Sequence, residues 1–388
     1  MNHPVPELKP PQHPLGRLPE EWEEAVRAWG QPAYRGREIF EWIHKRGVWE
    51  PERMHTLPKA IREHLEEDGL GMPLELAHAH RSADSTRKLL VEVAPGQRVE
   101  TVLIPQMRQA DPDVDDADRR LDEHEGMVPG QVVTQCISSQ VGCAMACVFC
   151  ASGRAGFKSN LSAAQIAGQV IFGKRHLEES EFTRNVVFMG MGEPLHNYDA
   201  VARALVLLSH PRGLGLSRRR VTLSTSGLVP QIDRLATDFG GQVQLAISLH
   251  AVDDKRRSEI MPINRKHPLP ELMKCLRRYP LPKRRRITIE YTLIRGVNDG
   301  MAEADQLVRL LKGIPAKVNL IPMNPIEESS LRAPDDSHVS LFQERLRSHR
   351  LGAYVRRQRG DDIAAACGQL ALHGETRRVK VRPPIVKG

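Results

Sequence analysis

Between residues 132 and 347, stretches typical of β-strands alternate with stretches that have helical spacing. Six strands are predicted, at 132–138, 185–189, 220–224, 243–249, 286–293 and 317–323. Helices are predicted between and after them, at 163–172, 198–208, 271–278, 301–311 and 339–347. Strands that alternate with helices form parallel sheets with right-handed crossovers. The pattern therefore predicts an α/β fold whose sheet is open or closed into a barrel.

The region before this alternation divides into two parts. Residues 1–70 have the apolar periodicity of helices. Residues 71–130 change to the two-residue period of strands, and the segments 89–93 and 99–104 flank a Pro-Gly turn, which predicts a β-hairpin. An Asp-rich stretch at 111–125 has almost no apolar residues, so we expect a linker there.

Composition and charge restrict the class of protein and its partners. The chain has 388 residues, of which 40% are hydrophobic and 27% charged, which excludes global disorder. Its 56 Lys and Arg against 48 Asp and Glu give a net charge of +8, which favours a polyanionic partner, with nucleic acid first and an anionic membrane second. No apolar run is long enough to span a bilayer, and the first residues lack a secretory apolar region. We expect a cytoplasmic protein without membrane association.

The cysteines indicate metal chemistry. Four of the six lie within one fifteen-residue stretch, and Cys143, Cys147 and Cys150 form a C-x3-C-x2-C run. Three thiolates on a loop suit a [4Fe–4S] cluster in which one iron has no protein ligand. That iron can chelate the amine and carboxylate of S-adenosylmethionine (SAM). A zinc site normally needs a fourth Cys or His and has a different spacing. In a chain of this size without a secretory signal, a disulfide framework is not expected.

Glu100 has two interpretations. It lies on the same face of its predicted strand as Val102 and Ile104. One interpretation is a charge on an edge strand, where charged side chains are common. The other is a carboxylate on an apolar face that acts as a proton acceptor in a site.

The cysteine loop, with an aromatic residue directly before its last cysteine, resembles the radical SAM signature. Further motifs resemble one family, the bacterial radical SAM adenine-C2 RNA methyltransferases that act on 23S rRNA and tRNA. These motifs are Cys136-Ile-Ser-Ser-Gln-Val-Gly-Cys143, Met189-Gly-Met-Gly-Glu-Pro194, Val221-Thr-Leu-Ser-Thr-Ser-Gly227, Ser248-Leu-His250, Leu320-Ile-Pro-Met-Asn-Pro325 and Arg359-Gly-Asp-Asp-Ile-Ala-Ala-Ala-Cys-Gly-Gln369. The resemblance extends from the helical N-terminal region to about residue 372, and the acidic stretch at 111–125 departs from it.

The resemblance implies a fold and a division into domains. The expected fold is a radical SAM partial (β/α)6 barrel with a small helical N-terminal accessory domain and a β-hairpin linker. The expected domains are an RNA-binding accessory domain at 1–70, the hairpin and acidic linker at 71–130, the radical SAM core at 131–372 and a basic tail at 373–388.

The resemblance also assigns cofactor ligands. It makes Cys143, Cys147 and Cys150 the ligands of the cluster. It assigns the SAM pocket to Gly192, Glu193, Ser224, Ser248, Leu249, His250 and Asn324. Most of these residues lie at or just after the end of a predicted strand, and in a parallel barrel those ends share the face that holds the active site.

Two cysteines outside the cluster motif receive mechanistic roles from the resemblance. Cys367 would be the S-methylcysteine carrier, Cys136 the thiol that forms a disulfide with it on product release, and Glu100 the proton acceptor. Cys275 belongs to a helical apolar stripe and is expected to be a buried core residue. The implied reaction is methylation of adenine C2 in 23S rRNA at the peptidyl-transferase centre and in the tRNA anticodon loop. An electron donor protein is implied, and we expect a monomer.

Two alternatives remain open on the sequence. A related enzyme that methylates C8 of the same adenine would use the same cysteines. A non-catalytic Fe–S or zinc protein that binds RNA would need neither Cys367 nor the SAM motifs.

Overall fold

The computed structural model describes residues 6–106, 132–326, 329–356, 359–366 and 368–370. Its β-strands are β1 (Glu75–Arg81), β2 (Arg87–Ala94), β3 (Gln97–Pro105), β4 (Val132–Cys136), β5 (Gln140–Gly142), β6 (Phe157–Asn160), β7 (Phe182–Phe188), β8 (Val221–Thr225), β9 (Gln244–Ser248), β10 (Ile287–Leu293), β11 (Ala316–Pro322) and β12 (Ala353–Val355). Its α-helices are α1 (Pro19–Ala28), α2 (Tyr34–Phe40), α3 (Lys59–Glu67), α4 (Ala151–Ala155), α5 (Ala163–Gly173), α6 (Tyr198–Ser209), α7 (Val229–Phe239), α8 (Asp254–Ile260), α9 (Leu269–Arg278), α10 (Met301–Leu310) and α11 (Asp336–Ser348).

Ten of these strands form one sheet in the order β1-β2-β3-β4-β7-β8-β9-β10-β11-β12. Within this sheet, β4 and β7 to β12 are parallel to one another, whereas β1 to β4 pair antiparallel. β5 and β6 form a separate antiparallel pair. β10 is buried along its whole length, as expected for a parallel strand covered on both faces. The predicted α/β fold is confirmed, and the carboxyl ends of the parallel strands share one edge.

The helical N-terminal region is fastened to the core through Arg203 of α6. The guanidinium of Arg203 donates two hydrogen bonds of 2.8 Å to the Glu21 carboxylate and one of 3.1 Å to the Gly16 carbonyl oxygen. Arg203 is only 4% exposed, so these partners compensate the burial of its charge. α1 thereby becomes part of one packed body with α6, although its residues are remote from α6 in the sequence.

The predicted hairpin is confirmed as β2 and β3, but one interpretation of Glu100 is wrong. β3 lies between β2 and β4 and is not an edge strand. Glu100 is 3% exposed, because both flanking strands and the covering layer exclude water from it.

Three predicted features lie outside the described residues: Cys367, the stretch 111–125 and the tail at 373–388. No helix in the described segments is both long and apolar enough to cross a membrane.

Candidate active site

A cavity of about 920 Å³, counting the part open to solvent, lies at the carboxyl ends of the parallel strands β7 to β11. Most of the residues predicted to bind the cluster and SAM line it. They are Cys143, Cys147, Cys150, Gly192, Glu193, Ser224, Ser248, His250 and Asn324.

The cysteine loop connects β5 to α4. Gly142 ends β5 with a φ of +72°, and a Cβ atom there would lie 1.8 Å from the carbonyl oxygen of Gly156. Only glycine at position 142 therefore allows the start of the loop to approach the residue that follows α4 so closely. The Cys143 N–H donates to the same Gly156 oxygen at 3.0 Å, and the Val148 N–H donates to the Ile260 carbonyl oxygen at 3.1 Å. The second bond attaches the loop to the last residue of α8.

The three thiols of this loop have the character of metal ligands. Cys143 and Cys147 are each 9% exposed. Burial, with the neighbouring Cys150, raises the pKa of Cys143 to about 12 and that of Cys147 well above its ordinary value. Thiolates in such surroundings need a bound cation to compensate their charge.

The spacing of these donors also fits a cluster. Within the described segments, no three His, Cys, Asp or Glu side chains converge as ligands of a single ion would. The three loop cysteines line one cavity, and each thiolate of a [4Fe–4S] cluster binds a different iron.

The loop after β7 presents Gly192 and Glu193 to the cavity. Gly192 has a φ of +99°, and a Cβ atom on it would lie 2.5 Å from the Cβ atom of Gln140. The Glu193 carboxylate accepts hydrogen bonds from the backbone N–H and the hydroxyl of Ser226, at 2.7 and 2.8 Å, and from the Leu195 N–H at 3.0 Å. Burial raises the pKa of Glu193, and the bonds from Ser226 oppose this effect. The carboxylate is therefore held in one orientation.

His250 follows β9 and is neutral at physiological pH. Burial lowers its pKa to about 3. The Thr292 backbone N–H donates to Nδ1 at 2.9 Å, so the ring proton is on Nε2. The ring contacts Phe149 edge-on, with 4.6 Å between centroids. His250 thus offers an N–H donor in a fixed orientation. Its ring contact with Phe149 also connects the cysteine loop to the strand ends.

Arg257 of α8 supports the cavity from behind, and the sequence analysis missed it. Its guanidinium donates to the carbonyl oxygens of Ser226 at 2.7 Å, Ser248 at 3.1 Å and Leu249 at 3.1 Å. Burial lowers its pKa to about 10, which leaves it charged at neutral pH. One side chain therefore ties together the loops after β8 and β9. Only its position in the run Asp253-Asp254-Lys255-Arg256-Arg257 was visible in the sequence, and that run reads as a solvated helix.

Glu290 and Arg356 are two further cavity residues that the sequence analysis missed. Glu290 lies on β10 opposite Ser248 and is 4% exposed. One carboxylate oxygen accepts a 3.0 Å hydrogen bond from Asn319, and the other lies 3.9 Å from an Arg356 nitrogen. An acidic residue in the middle of a buried parallel strand is unusual, and that was the available signal.

Four predicted residues are placed differently from the rest. Leu249 is fully buried, and it is not among the described residues that line the cavity; its backbone oxygen accepts from Arg257 instead. Cys136 ends β4, and its carbonyl oxygen accepts a 2.8 Å hydrogen bond from the Thr101 hydroxyl. Glu100, beside Thr101 on β3, forms an ion pair of 3.2 Å with Lys88. Neither Cys136 nor Glu100 is among the described lining residues, and Cys367 lies outside the described residues.

Two family models match this chain. The model of the radical SAM superfamily matches residues 137–308, which include the cysteine loop and strands β7 to β10. The model described as the ribosomal RNA large subunit methyltransferase N-terminal domain matches residues 17–69, which include α1 to α3. Fold and site together define an enzyme of the radical SAM class.

Individual relatives cover nearly the whole chain. It is 56% identical over 381 residues to the dual-specificity RNA methyltransferase RlmN of Sorangium cellulosum, across 95% of this chain and 98% of that protein. It is 43% identical over 365 residues to the probable dual-specificity RNA methyltransferase RlmN of Heliobacterium modesticaldum, across 93% of this chain and 90% of that protein. The crystal structure of a radical SAM methyltransferase from Sphaerobacter thermophilus matches with a TM-score of 0.83 and 40% identity, across 93% of this chain and 99% of that one.

The chain belongs to the RlmN family of radical SAM RNA methyltransferases. Enzymes of this class use a [4Fe–4S] cluster and SAM, and their substrate is RNA. The cysteine loop and the cavity fit both cofactors.

Proposed function

We propose that this enzyme methylates C2 of an adenine in 23S rRNA and in tRNA through a methyl group carried on Cys367. One observation carries this proposal. Gly368, the residue after Cys367 in the chain, lines the same cavity as the three loop cysteines and Glu193. The Ala151 N–H, one residue after Cys150, donates to the Gly368 carbonyl oxygen at 2.8 Å. The described residue that adjoins the carrier thiol therefore lies beside the cluster loop.

Adenine C2 requires this form of chemistry. The atom lies between two ring nitrogens and is electron-poor, so it does not attack the SAM methyl group as a nucleophile. When bound, the cluster and SAM supply carbon-radical chemistry, which can add a carbon to such a position. Cys143, Cys147 and Cys150 would hold the cluster, and Gly192 with Glu193 would orient the amino group of SAM. Ser224, Ser248, His250 and Asn324 would complete the pocket, with the Leu249 backbone beside them.

The remaining roles belong to Cys367, Glu100 and Cys136. Cys367 first accepts a methyl group and presents its carbon to C2 as a thioether. This methyl group would lose one hydrogen atom to the bound cofactors, its carbon would bond to C2, and Glu100 would take the C2 proton while one electron returns to the cofactors. The Cys136 thiolate attacks the Cys367 sulfur and a disulfide forms, while the bond between that sulfur and the transferred carbon breaks with its electron pair on the carbon, which takes up a proton to become the C2 methyl group. The Lys88 ammonium lies 3.2 Å from a Glu100 carboxylate oxygen and would hold the proposed acceptor in position.

The test separates the two mechanistic cysteines. Cys136→Ala leaves the carrier in place but removes the thiol that releases the product, so RNA should remain covalently attached to the enzyme. Cys367→Ala removes the carrier, so no adduct should form. On a denaturing gel we expect a slow, nuclease-sensitive band for Cys136→Ala and none for Cys367→Ala or the double variant.

Two controls make this result interpretable. Both cysteines lie outside the cluster motif, so iron content should be the same in all variants. Nucleoside mass spectrometry of RNA incubated anaerobically with the native enzyme, SAM and reductant should show 2-methyladenosine; 8-methyladenosine would identify the C8 enzyme instead. RNA methylation by Cys367→Ala would contradict the carrier role.

The proposal includes partners and location. An electron donor protein would supply the reducing equivalent, because these side chains offer no low-potential group of their own. We propose that the enzyme acts as a monomer in the cytoplasm, where RNA substrates and reductants are both present.

A further inference from the structure

The segment 359–366, which we name the carrier segment, leads directly into Cys367. The described part of the chain shows how this segment is held. We propose that Ser82, Asp84 and Lys88, which we name the β1–β2 clasp, position the carrier segment for catalysis. The clasp consists of two residues from the turn between β1 and β2 and one from the start of β2. The inference rests on the proposed function, since it assigns these residues a purpose only if Cys367 carries the methyl group.

The first contact of the clasp is made by Asp84. One oxygen of its carboxylate accepts from Arg359 Nε at 2.7 Å and from the Gly360 backbone N–H at 3.1 Å. The Arg359 guanidinium also donates to the carbonyl oxygens of Asp84 at 3.2 Å and of Pro105, the last residue of β3, at 3.1 Å. The start of the carrier segment is therefore attached at two places. An ion pair joins it to the turn before β2, and a hydrogen bond to a backbone oxygen joins it to the end of β3.

In the second contact, the turn supplies the donors and the carrier segment supplies the acceptor. The carboxylate of Asp362 accepts from the Ser82 hydroxyl at 2.5 Å and from the Ala83 N–H at 3.1 Å. Between the two carboxylates, Gly360 approaches so closely that a Cβ atom on it would lie 3.0 Å from the Thr86 side chain. Turn and segment thus exchange hydrogen bonds reciprocally, which fixes their relative orientation as well as their distance.

The third contact connects the segment to the proposed proton acceptor. Lys88 Nζ lies 3.3 Å from the Ala364 carbonyl oxygen and 3.2 Å from a carboxylate oxygen of Glu100. Lys88 and Glu100 are 5% and 3% exposed, so water competes little for these contacts. One ammonium group therefore bridges the chain three residues before Cys367 and the carboxylate that would deprotonate the adenine.

The chain is held on the other side of Cys367 as well. The Ser152 hydroxyl of α4 donates to the Leu370 carbonyl oxygen at 2.5 Å, and the Gln369 side chain donates to the Pro325 carbonyl oxygen at 3.1 Å. α4 and the residues after β11 thus hold the chain after the carrier, while the clasp holds the chain before it. Because a misplacement of about 1 Å can cost a factor of about 100 in rate, both attachments matter for a radical transfer between fixed partners.

Within the clasp, Asp84 is only half-buried, which makes a test at this residue practicable. All seven residues of β1 are exposed, and the turn packs little of the apolar interior. Loss of the Asp84 side chain should therefore release the carrier segment without unfolding the enzyme. The matched control is Asp305→Ala on α10, because Asp305 also forms a paired hydrogen bond with an arginine, Arg345, but far from the carrier segment.

The experiment compares Asp84→Ala, Asp84→Asn and Asp305→Ala in the reconstituted holoenzyme. We expect hydrogen exchange in the peptide 359–366 to accelerate in Asp84→Ala, with unchanged iron content. RNA methylation should fall about 10- to 100-fold, while SAM cleavage per methylated RNA rises because radicals form without a placed acceptor. Asp84→Asn keeps an acceptor and should recover part of the coupling. Asp305→Ala should match the native enzyme.

A double-mutant cycle with Arg359→Ala completes the test. If Asp84 and Arg359 act as one unit, the double variant should lose no more RNA methylation than either single variant. Unchanged exchange in Asp84→Ala, additive losses in the cycle, or a proportional fall of SAM cleavage and methylation would each overturn the clasp. Retained methylation in Cys367→Ala would instead contradict the proposed function, and the exchange data would then still decide whether Asp84 holds the segment.

Discussion

Individual side chains in the cavity wall are held in one protonation state and one orientation. His250 is neutral because burial lowers its pKa, and the bond from the Thr292 N–H to Nδ1 leaves the proton on Nε2. Glu193 has three donors around its carboxylate. Such a wall needs little rearrangement when cofactors bind, and preorganised polar groups are what catalytic sites require.

The cysteine loop gives the most direct prediction at this scale. Alanine at Cys143, Cys147 or Cys150 removes one iron ligand, so the brown Fe–S absorbance and all SAM cleavage should be lost. Cys275→Ala is the matched control, because Cys275 is buried outside the loop and only donates a weak hydrogen bond to Asp233. Visible absorbance and iron analysis after anaerobic reconstitution measure the effect. SAM cleavage in any of the three loop variants would refute the ligand assignment.

Two buried histidines predict acid lability. Burial lowers the pKa of both His44 and His250 to about 3 from 6.5. Between pH 3 and pH 6.5 the unfolded chain binds more protons than the folded chain. The stabilisation that comes from keeping both histidines neutral is therefore complete above pH 6.5, and the free energy of unfolding decreases as the pH falls toward 3. Each histidine should contribute about 1.4 kcal/mol per pH unit in that window.

His44→Gln tests this prediction away from the active site. His44 Nε2 donates to the Leu15 carbonyl oxygen at 3.0 Å, a bond that the glutamine amide can replace. In urea titrations at pH 7.5 and 5.5, the variant should lose less stability than the native protein. His78→Gln, on the exposed strand β1, serves as the control. Equal losses in native protein and His44→Gln would contradict the prediction.

At the scale of elements, the parallel strands β4 and β7 to β11 could be predicted from the sequence, whereas the short strands β5, β6 and β12 and the short helix α4 were not. β10 was predicted at 286–293 and is observed at Ile287–Leu293, because its isoleucines, tyrosine and threonines favour a strand and the whole segment is buried. α7 and α8 were missed. α8 has the sequence DKRRSEI, which shows no apolar stripe, and its buried arginine is the residue that holds it to the strand ends.

The same distinction applies to the candidate site. Ser224, Ser248 and Asn324 were predicted from motifs shared with the family, supported by their position at or just after strand ends, and the structure brings them to one cavity. Arg257 could not be predicted, because its contacts join elements that are distant in the sequence, and Glu290 was missed although its acidic side chain interrupts a buried strand.

The N-cap of α8 provides the prediction for this scale. The Asp253 carboxylate accepts a hydrogen bond of 2.8 Å from the Arg256 N–H. Asp253→Ala should cost about 1 kcal/mol of stability, as the loss of such a cap usually does. It should also weaken SAM binding, since Arg257 one turn later supports the loops after β8 and β9.

Asp335→Ala is the matched control for this cap. Asp335 occupies the same position before α11, but its side chain makes no capping hydrogen bond. Its exposed ion pair with Arg295 should be worth less than about 1 kcal/mol. Urea titration and SAM binding by calorimetry measure the two effects, and equal stability losses in both variants would argue against the cap.

Across the whole molecule, positive charge is distributed unevenly. Residues 1–70 contain ten Lys and Arg but thirteen Asp and Glu, whereas residues 132–370 contain thirty-four against twenty-two. The net charge of the chain therefore does not support RNA binding by the N-terminal region. The excess lies in the catalytic core, so the core is expected to supply most of the electrostatic attraction for RNA.

β6, which follows the cysteine loop and α4, gives a testable RNA contact. It exposes Phe157, at 42%, next to Lys158, and an exposed aromatic ring beside a cation suits an unstacked base and its phosphate. Lys158→Gln should weaken RNA binding and reduce the slope of log affinity against log salt by about 0.7. Phe157→Ala should weaken binding with an unchanged slope.

Lys283→Gln is the control for this charge. Lys283 precedes β10 and therefore lies at the opposite end of the parallel strands from the cavity. Binding titrations of RNA at several salt concentrations compare the variants. A slope change in Lys283→Gln equal to that in Lys158→Gln would show that the attraction is not specific to the cavity side.

The antiparallel pairing of β3 with β4 has a consequence for engineering. Val102 lies opposite Cys136, Pro105 opposite Val133, and the Gln106 N–H donates to the Val132 carbonyl oxygen at 2.8 Å, so both ends of the 107–131 connection are fixed side by side. Closure entropy rises only slowly with loop length. A fluorescent reporter or an affinity module spliced into 107–131 would thus sit at the amino end of β4, away from the cavity at the carboxyl ends, without shifting the register of the sheet.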